Sequence, residues 1–138
     1  MSFTDQKSQD LSAKAGSALG KKFMTHEKFQ IATAVKVPSM FKGLAGALLK
    51  AGQAKARDSA VKKFEKEGQT APAGLADRIH VLFDLDGKCS GESLSEWKDN
   101  QARLVLVDGD GKALGESCDD DPVAAVEALA EKIKAALG

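Results

Sequence analysis

Two short acidic phrases carry the residues best placed to do chemistry. Asp84 and Asp86 sit in F-D-L-D-G-K at 83–88, and Asp108 and Asp110 in V-D-G-D-G-K at 107–112. Carboxylates spaced i, i+2 in a loop are hard oxygen donors, so with Asp119, Asp120 and Asp121 downstream they could hold calcium. One carboxylate of such a pair could instead accept a transferred group while its neighbour manages the proton. A third role is architectural: aspartates bond back to turn amides and glycine supplies a positive φ, as a tight β-hairpin requires. Two similar hairpin turns would account for the repeat without any site. An EF-hand register fits neither copy, because its fifth position, a ligand, would be Lys88 or Lys112.

The first phrase, V-L-F-D-L-D-G at 81–87, resembles the opening motif of the haloacid dehalogenase family of phosphatases. That resemblance implies Asp84 as nucleophile, Asp86 as general acid/base, a magnesium ion and a parallel α/β sheet. It covers seven residues of 138, and Lys88 stands where the family carries threonine or valine. Only 52 residues follow Asp86, a short length for such a sheet.

Other reactive groups are sparse. Cys89 and Cys118 occupy non-equivalent places in the two phrases and form no C-x-x-C pair, and His26 and His80 are the only histidines. That set predicts inert thiols rather than a zinc site or disulfide. No Ser/His/Asp order and no glycine-rich phosphate loop can be defended. The N-terminus has no secretory pattern, and the run Leu44 to Leu49 is far too short to span a bilayer. These features predict a cytoplasmic protein without a transmembrane segment.

A net charge of zero conceals a division. Residues 1–68 carry 13 Lys and Arg against 6 Asp and Glu, while residues 69–138 carry 7 against 14. The halves could complement one another in one fold, self-associate through opposite charge, or present the basic half to an anionic partner. The basic stretch M-F-K-G-L-A-G-A-L-L-K-A-G-Q-A-K-A-R, at 40–57, is the second candidate site. Met40, Phe41, Leu44, Ala47, Leu48, Ala51 and Ala54 fall on one helical face, with Lys42, Lys50 and Arg57 opposite. The first expectation is a helix that lays this apolar face on its own sheet. The second is an interfacial helix that docks on a protein partner or an anionic surface through Lys42, Lys50 and Arg57. Nucleic acid is disfavoured, since the basic half lacks Tyr, Trp and any Arg-rich run.

The elements that must position these residues follow from periodicity. Residues 1–20 have little apolar surface and predict a mobile tail or marginal helix. Phe29, Ile31, Thr33, Val35 and Val37 alternate as a half-buried strand, with a helix as the competing assignment within 21–37. The long helix follows Pro38; its stripe loses phase past Lys55, and Gly68 suits its C-terminal cap. Residues 69–76 form a linker. Ile79, Val81, Phe83 and Leu85 alternate as a strand entering the first hairpin, with a short helix near Trp97 after it. Arg103 to Val107 enters the second hairpin. Asp121 and Pro122 then open a helix with a stripe of Val123, Val126, Leu129, Ala130, Ile133 and Leu137.

The sequence thus predicts one α+β domain over 21–138, with a basic half to 68, the linker and an acidic ββ-ββ-α half over 77–138. Its sheet is expected to be small and antiparallel, built from two hairpins and an N-terminal strand. A long central helix and a C-terminal helix pack on one face. The expected function is non-enzymatic binding through the basic helix. Calcium binding by Asp84, Asp86, Asp108 and Asp110 is one alternative, and a small phosphohydrolase another.

Overall fold

A computed structural model describes residues 2–4, 8–37, 39–84 and 101–138. The fold is α+β. Its strands are β1 (Ser2–Thr4), β2 (Ile31–Lys36), β3 (Ile79–Asp84), β4 (Ala102–Val107) and β5 (Ala113–Asp119). Among the described residues the helices are α1 (Gln9–Phe23), α2 (Ala45–Lys66) and α3 (Pro122–Leu137), with short 3₁₀ helices at Ser39–Leu44 and Leu75–Arg78. The strands make one sheet in the order β3-β2-β1-β4-β5.

The sheet is mixed where an antiparallel one was expected. β2 pairs in parallel with both β1 and β3, and antiparallel pairing joins β1 to β4 and β4 to β5. Alternation reports which side chains share a face and is the same for both pairings. The discriminating feature is the connection: α1 and α2 are crossovers that return the chain to the same end of the sheet. Two right-handed crossovers stepping the same way across a sheet place both helices on one face. The register agrees. Ile31, Thr33 and Val35 stand opposite Ile79, Val81 and Phe83, and all six line the space below α1 and α2. Ala102 and Leu104 face the same way below α3, so the described helices α1, α2 and α3 lie on one face of the sheet. The first predicted hairpin, the turn at Asp86 and Gly87 and the short helix near Trp97 lie outside the described residues.

Residues 2–4 and 8–20 are better organised than the composition of this stretch suggests. Ser2–Thr4 fills the centre of the sheet, and α1 buries Ser12, Ala15, Leu19 and Phe23 at helical spacing. Ala15 is wholly buried, which explains the faint sequence signal: α1 packs closely through small residues rather than a broad apolar stripe. Phe23 and Phe29, with ring centroids 5.4 Å apart, close the base of this layer. Arg78 donates to the His26 carbonyl at 2.8 Å and ties the turn after α1 to the start of β3.

α3 forms as the sequence predicts. The Asp121 carboxylate accepts from the Val123 amide at 2.8 Å, and Pro122 takes the first helical position, where no N–H is needed. Val126, Leu129, Ala130 and Ile133 are buried against α1 and the β4–β5 hairpin. Burial of each large one is worth about 1.5–3 kcal/mol relative to exposure. Val123 departs from the predicted stripe: it is exposed, and Ala125 occupies the buried place in the first turn.

Candidate functional site

α2 has two faces, and the one turned to the sheet is not the apolar face read from the sequence. The partly buried row runs through Leu49, Gln53, Ala56, Ala60 and Phe64. Ala60, Val61 and Phe64 of this side pack against the core. Met40, Phe41, Ala47, Leu48, Ala51 and Ala54 are all exposed, as is Leu44. Met40 retains 81% of its accessible surface, Leu44 61%, Leu48 44% and Phe41 41%. The expectation that this face covers the protein's own sheet is therefore corrected.

The physical reason lies in both halves of the helix. Met40, Phe41 and Leu44 belong to a 3₁₀ segment with about 3.0 residues per turn, so their side chains do not project as continuous α-helical periodicity supposes. Further along, Val61 and Phe64 choose the side that meets the sheet. Gln53, on that side, satisfies the outer edge of β3: its side-chain amide donates to the Ile79 carbonyl and accepts from the Val81 amide at 2.6 Å. An edge strand leaves such groups unpaired, and a helix laid along the edge is one of the ways to cover them.

The cations divide between the same two sides. Lys42, Lys50 and Lys55 are exposed. Arg57 is half-buried and donates to the Ile79 carbonyl at 3.5 Å, so its guanidinium serves the protein's own strand. No Asp or Glu occurs between Lys28 and Arg57. The first acid after that run, Asp58, pairs with Lys62 one turn on at 2.7 Å and holds its ammonium above the usual lysine range. The exposed surface at the start of α2 thus combines four large apolar side chains with lysines and no carboxylate of its own segment.

The acidic phrases have a different character. Asp108 is a turn-former. Its carboxylate accepts from the amides of Asp110 at 3.0 Å and Lys112 at 2.9 Å, and Gly111 takes φ of +82°. The backbone closes the same turn, with the Asp108 amide donating to the Lys112 carbonyl at 3.0 Å. Asp110 is exposed, and Asp86 lies outside the described residues. Asp84 ends β3, whereas Asp108 follows the antiparallel β4, so the register sets these two aspartates at opposite ends of the sheet. Asp84 and Asp108 therefore do not converge on one ion. Among the described residues no group of three or more His, Cys, Asp or Glu side chains could hold a metal ion.

Asp84 is buried, 6% exposed, at the end of an edge strand. The phosphatase resemblance places this strand at the start of the sheet; here it is the third parallel strand and, among the described strands, has a neighbour on one side only. His80 pairs its Nε2 with the Gln30 side-chain oxygen at 3.0 Å, and the exposed Cys118 thiol lies 2.9 Å from that of Gln101. Asp119 accepts from the Asp121 amide at 2.8 Å, and Asp121 caps α3, so both serve local structure.

No family model matches the chain, and neither a curated protein nor a solved structure matches it. The exposed side of α2 was signalled in the sequence by the loss of phase past Lys55. Two phases in one helix mean two surfaces, and Val61 and Phe64 mark the one this fold keeps for itself.

Proposed function

We propose that this protein is a non-enzymatic docking protein that seats the start of its long helix on an anionic lipid surface. The observation that carries the reading is the outward apolar face of Met40, Phe41, Leu44 and Leu48 within a basic, acid-free run. Interfacial helices place apolar side chains at the headgroup boundary while lysines reach anionic headgroups. Lys42 and Lys50 supply that charge, joined by Lys55, while Arg57 holds the helix on β3. An acidic protein groove would use the same chemistry. Lipid is favoured because three of the four apolar residues, Met40, Phe41 and Leu44, cluster in one exposed 3₁₀ segment rather than along one helix row.

Co-sedimentation with vesicles of phosphatidylserine in phosphatidylcholine tests the reading. Binding is expected to the mixed vesicles, to weaken with added salt, and to be lost in a Met40→Ser/Leu44→Ser variant. Each of Lys42→Gln and Lys50→Gln should weaken it about five-fold, from roughly 1 kcal/mol per basic residue near such a surface. Equal binding to neutral vesicles, or full binding by the serine variant, would contradict it. Failure to bind any vesicle would overturn the lipid reading and leave the surface to an acidic protein partner.

A further inference from the structure

The core of this protein is closed on one side and open on the other. Below α3, Ala102, Leu104, Val126, Leu129 and Ile133 are at most 3% exposed. Below α1 and α2, the six sheet residues Ile31, Thr33, Val35, Ile79, Val81 and Phe83 are only partly buried, although two helices stand over them. They floor a cleft of ≈ 770 Å³. Ligand pockets span about 300–1,000 Å³, with apolar linings and a few placed polar groups.

The helices that wall the cleft are joined at one end. The Lys63 ammonium donates to the Ser17 hydroxyl, and Lys21 pairs with Glu67 at 2.8 Å. These bridges are one turn apart on each helix, so α1 and α2 run side by side in the same direction. The same spacing puts Gln9, where α1 begins, level with Lys55, while α2 continues back to Ala45. Among the described residues α2 outruns α1 at that end, and Lys55 and Leu48 line the cleft there.

The wall residues keep the space clear. A helical glycine is ordinarily explained by close backbone approach, but a Cβ added at Gly16 would meet nothing within 4 Å. At Gly52 the nearest atom is a Val81 methyl carbon at 3.9 Å. Both line the cleft, as do Ala13 and Ala56. Two helices with small facing residues could pack together; these are held apart by long polar bridges over an apolar floor.

We propose that this cleft binds one acyl chain ending in an anionic head, with the chain along the β2–β3 floor and the head at Lys55. The apolar floor selects a chain, and Lys55 selects a negative head over a neutral one. The site adjoins the docking surface described above, and Leu48 and Lys55 belong to both.

Titration of the full chain with monomeric oleate, followed by calorimetry and by thermal melting, tests the proposal. Saturable binding and a raised Tm are expected. Gly16→Leu places a side chain in the cleft at an unstrained helical position; it should keep or raise the Tm of the free protein and abolish oleate binding. Ala56→Leu should act likewise from the other wall. Lys55→Gln should weaken oleate by roughly 2- to 5-fold, the range of an exposed ion pair, and leave oleyl alcohol unchanged. No saturable binding of monomeric oleate, or undiminished binding by a folded Gly16→Leu protein, would overturn the assignment. The vesicle assay separates the two sources of the chain. Loss of vesicle binding by Gly16→Leu would assign it to a bilayer lipid, and retention would assign it to a free fatty acid.

Discussion

Gln53 accepts a hydrogen bond from the Val81 amide at 2.6 Å, from a helix to the open edge of a strand 28 residues later. The same side chain donates to the Ile79 carbonyl, so one amide group partners β3 on the side away from β2. The groups involved are part-buried, and leaving them unmatched costs about 1–3 kcal/mol. Gln53→Leu, which preserves volume and removes both bonds, is expected to lower unfolding free energy by that amount in urea titration. Among the described strands β3 has no neighbour on that side, so the variant also uncovers an edge. Concentration-dependent self-association is therefore expected from this variant and not from Leu48→Gln on the outer side of the same helix.

The Asp108 turn separates an architectural aspartate from a metal ligand. Its Oδ1 accepts two backbone amides, a role that asparagine can fill and alanine cannot. Asp108→Asn should stay within about 0.5 kcal/mol of the parent, and Asp108→Ala should lose roughly 1–2 kcal/mol. Gly111→Ala should lose about 1 kcal/mol through its positive φ. If calcium raised the Tm of the parent and not of Asp108→Asn, the turn would be a ligand set after all.

Much of this architecture was legible because local chemistry determined it. Asp121 and Pro122 fix the start of α3 within one turn, and Asp108 with Gly111 fixes a hairpin, since each interaction lies within four residues of chain. The β2 alternation survived for the same reason. What escaped reading depended on distant partners. Ser2–Thr4 is a strand only because β2 and β4 flank it. α1 looked marginal because Ser12 and Ala15 enter the core without the bulk that marks a core helix. The outward turn of Leu44 and Leu48 was decided by Gln53, Val61 and Phe64, which commit the other side of the helix to β3. The candidate site residues were partly visible: Lys42 and Lys50 lie on the surface, while Arg57 is held by Ile79.

Glu131 and Lys134 make an i, i+3 pair at 2.7 Å near the end of α3. The lysine holds the Glu131 carboxyl below its ordinary value, and the carboxylate raises Lys134. A folded-state pKa below the unfolded one favours the native state once the carboxyl is ionised. That contribution is present above the unfolded glutamate pKa and lost as pH falls through the folded one. Both groups are solvent-exposed, so the effect is small and screened by salt. Glu131→Gln should therefore melt slightly below the parent at neutral pH and low salt. The two proteins should melt together in strong acid or in high salt. A gap that persists in acid would show that the glutamate acts through packing and not through charge.

The contrast between the closed core and the exposed helix face is open to a direct comparison of two leucines. Leu129 on α3 is 3% exposed within the main cluster, while Leu48 on α2 keeps 44% of its surface. Truncation of a buried leucine removes its transfer energy and leaves a cavity that neighbours only partly fill, at a cost of about 2–5 kcal/mol. Leu129→Ala is expected to fall in that range by chemical denaturation, with a matching fall in Tm. Leu48→Ala removes a side chain that is already half in water and should stay within about 0.5 kcal/mol of the parent. A loss of 2 kcal/mol or more at Leu48, by the same scale of large-to-small changes, would mean that this face is buried in solution by a second copy or another segment. Dilution would then distinguish the two, because a face covered by a second copy weakens with concentration and one covered within the chain does not.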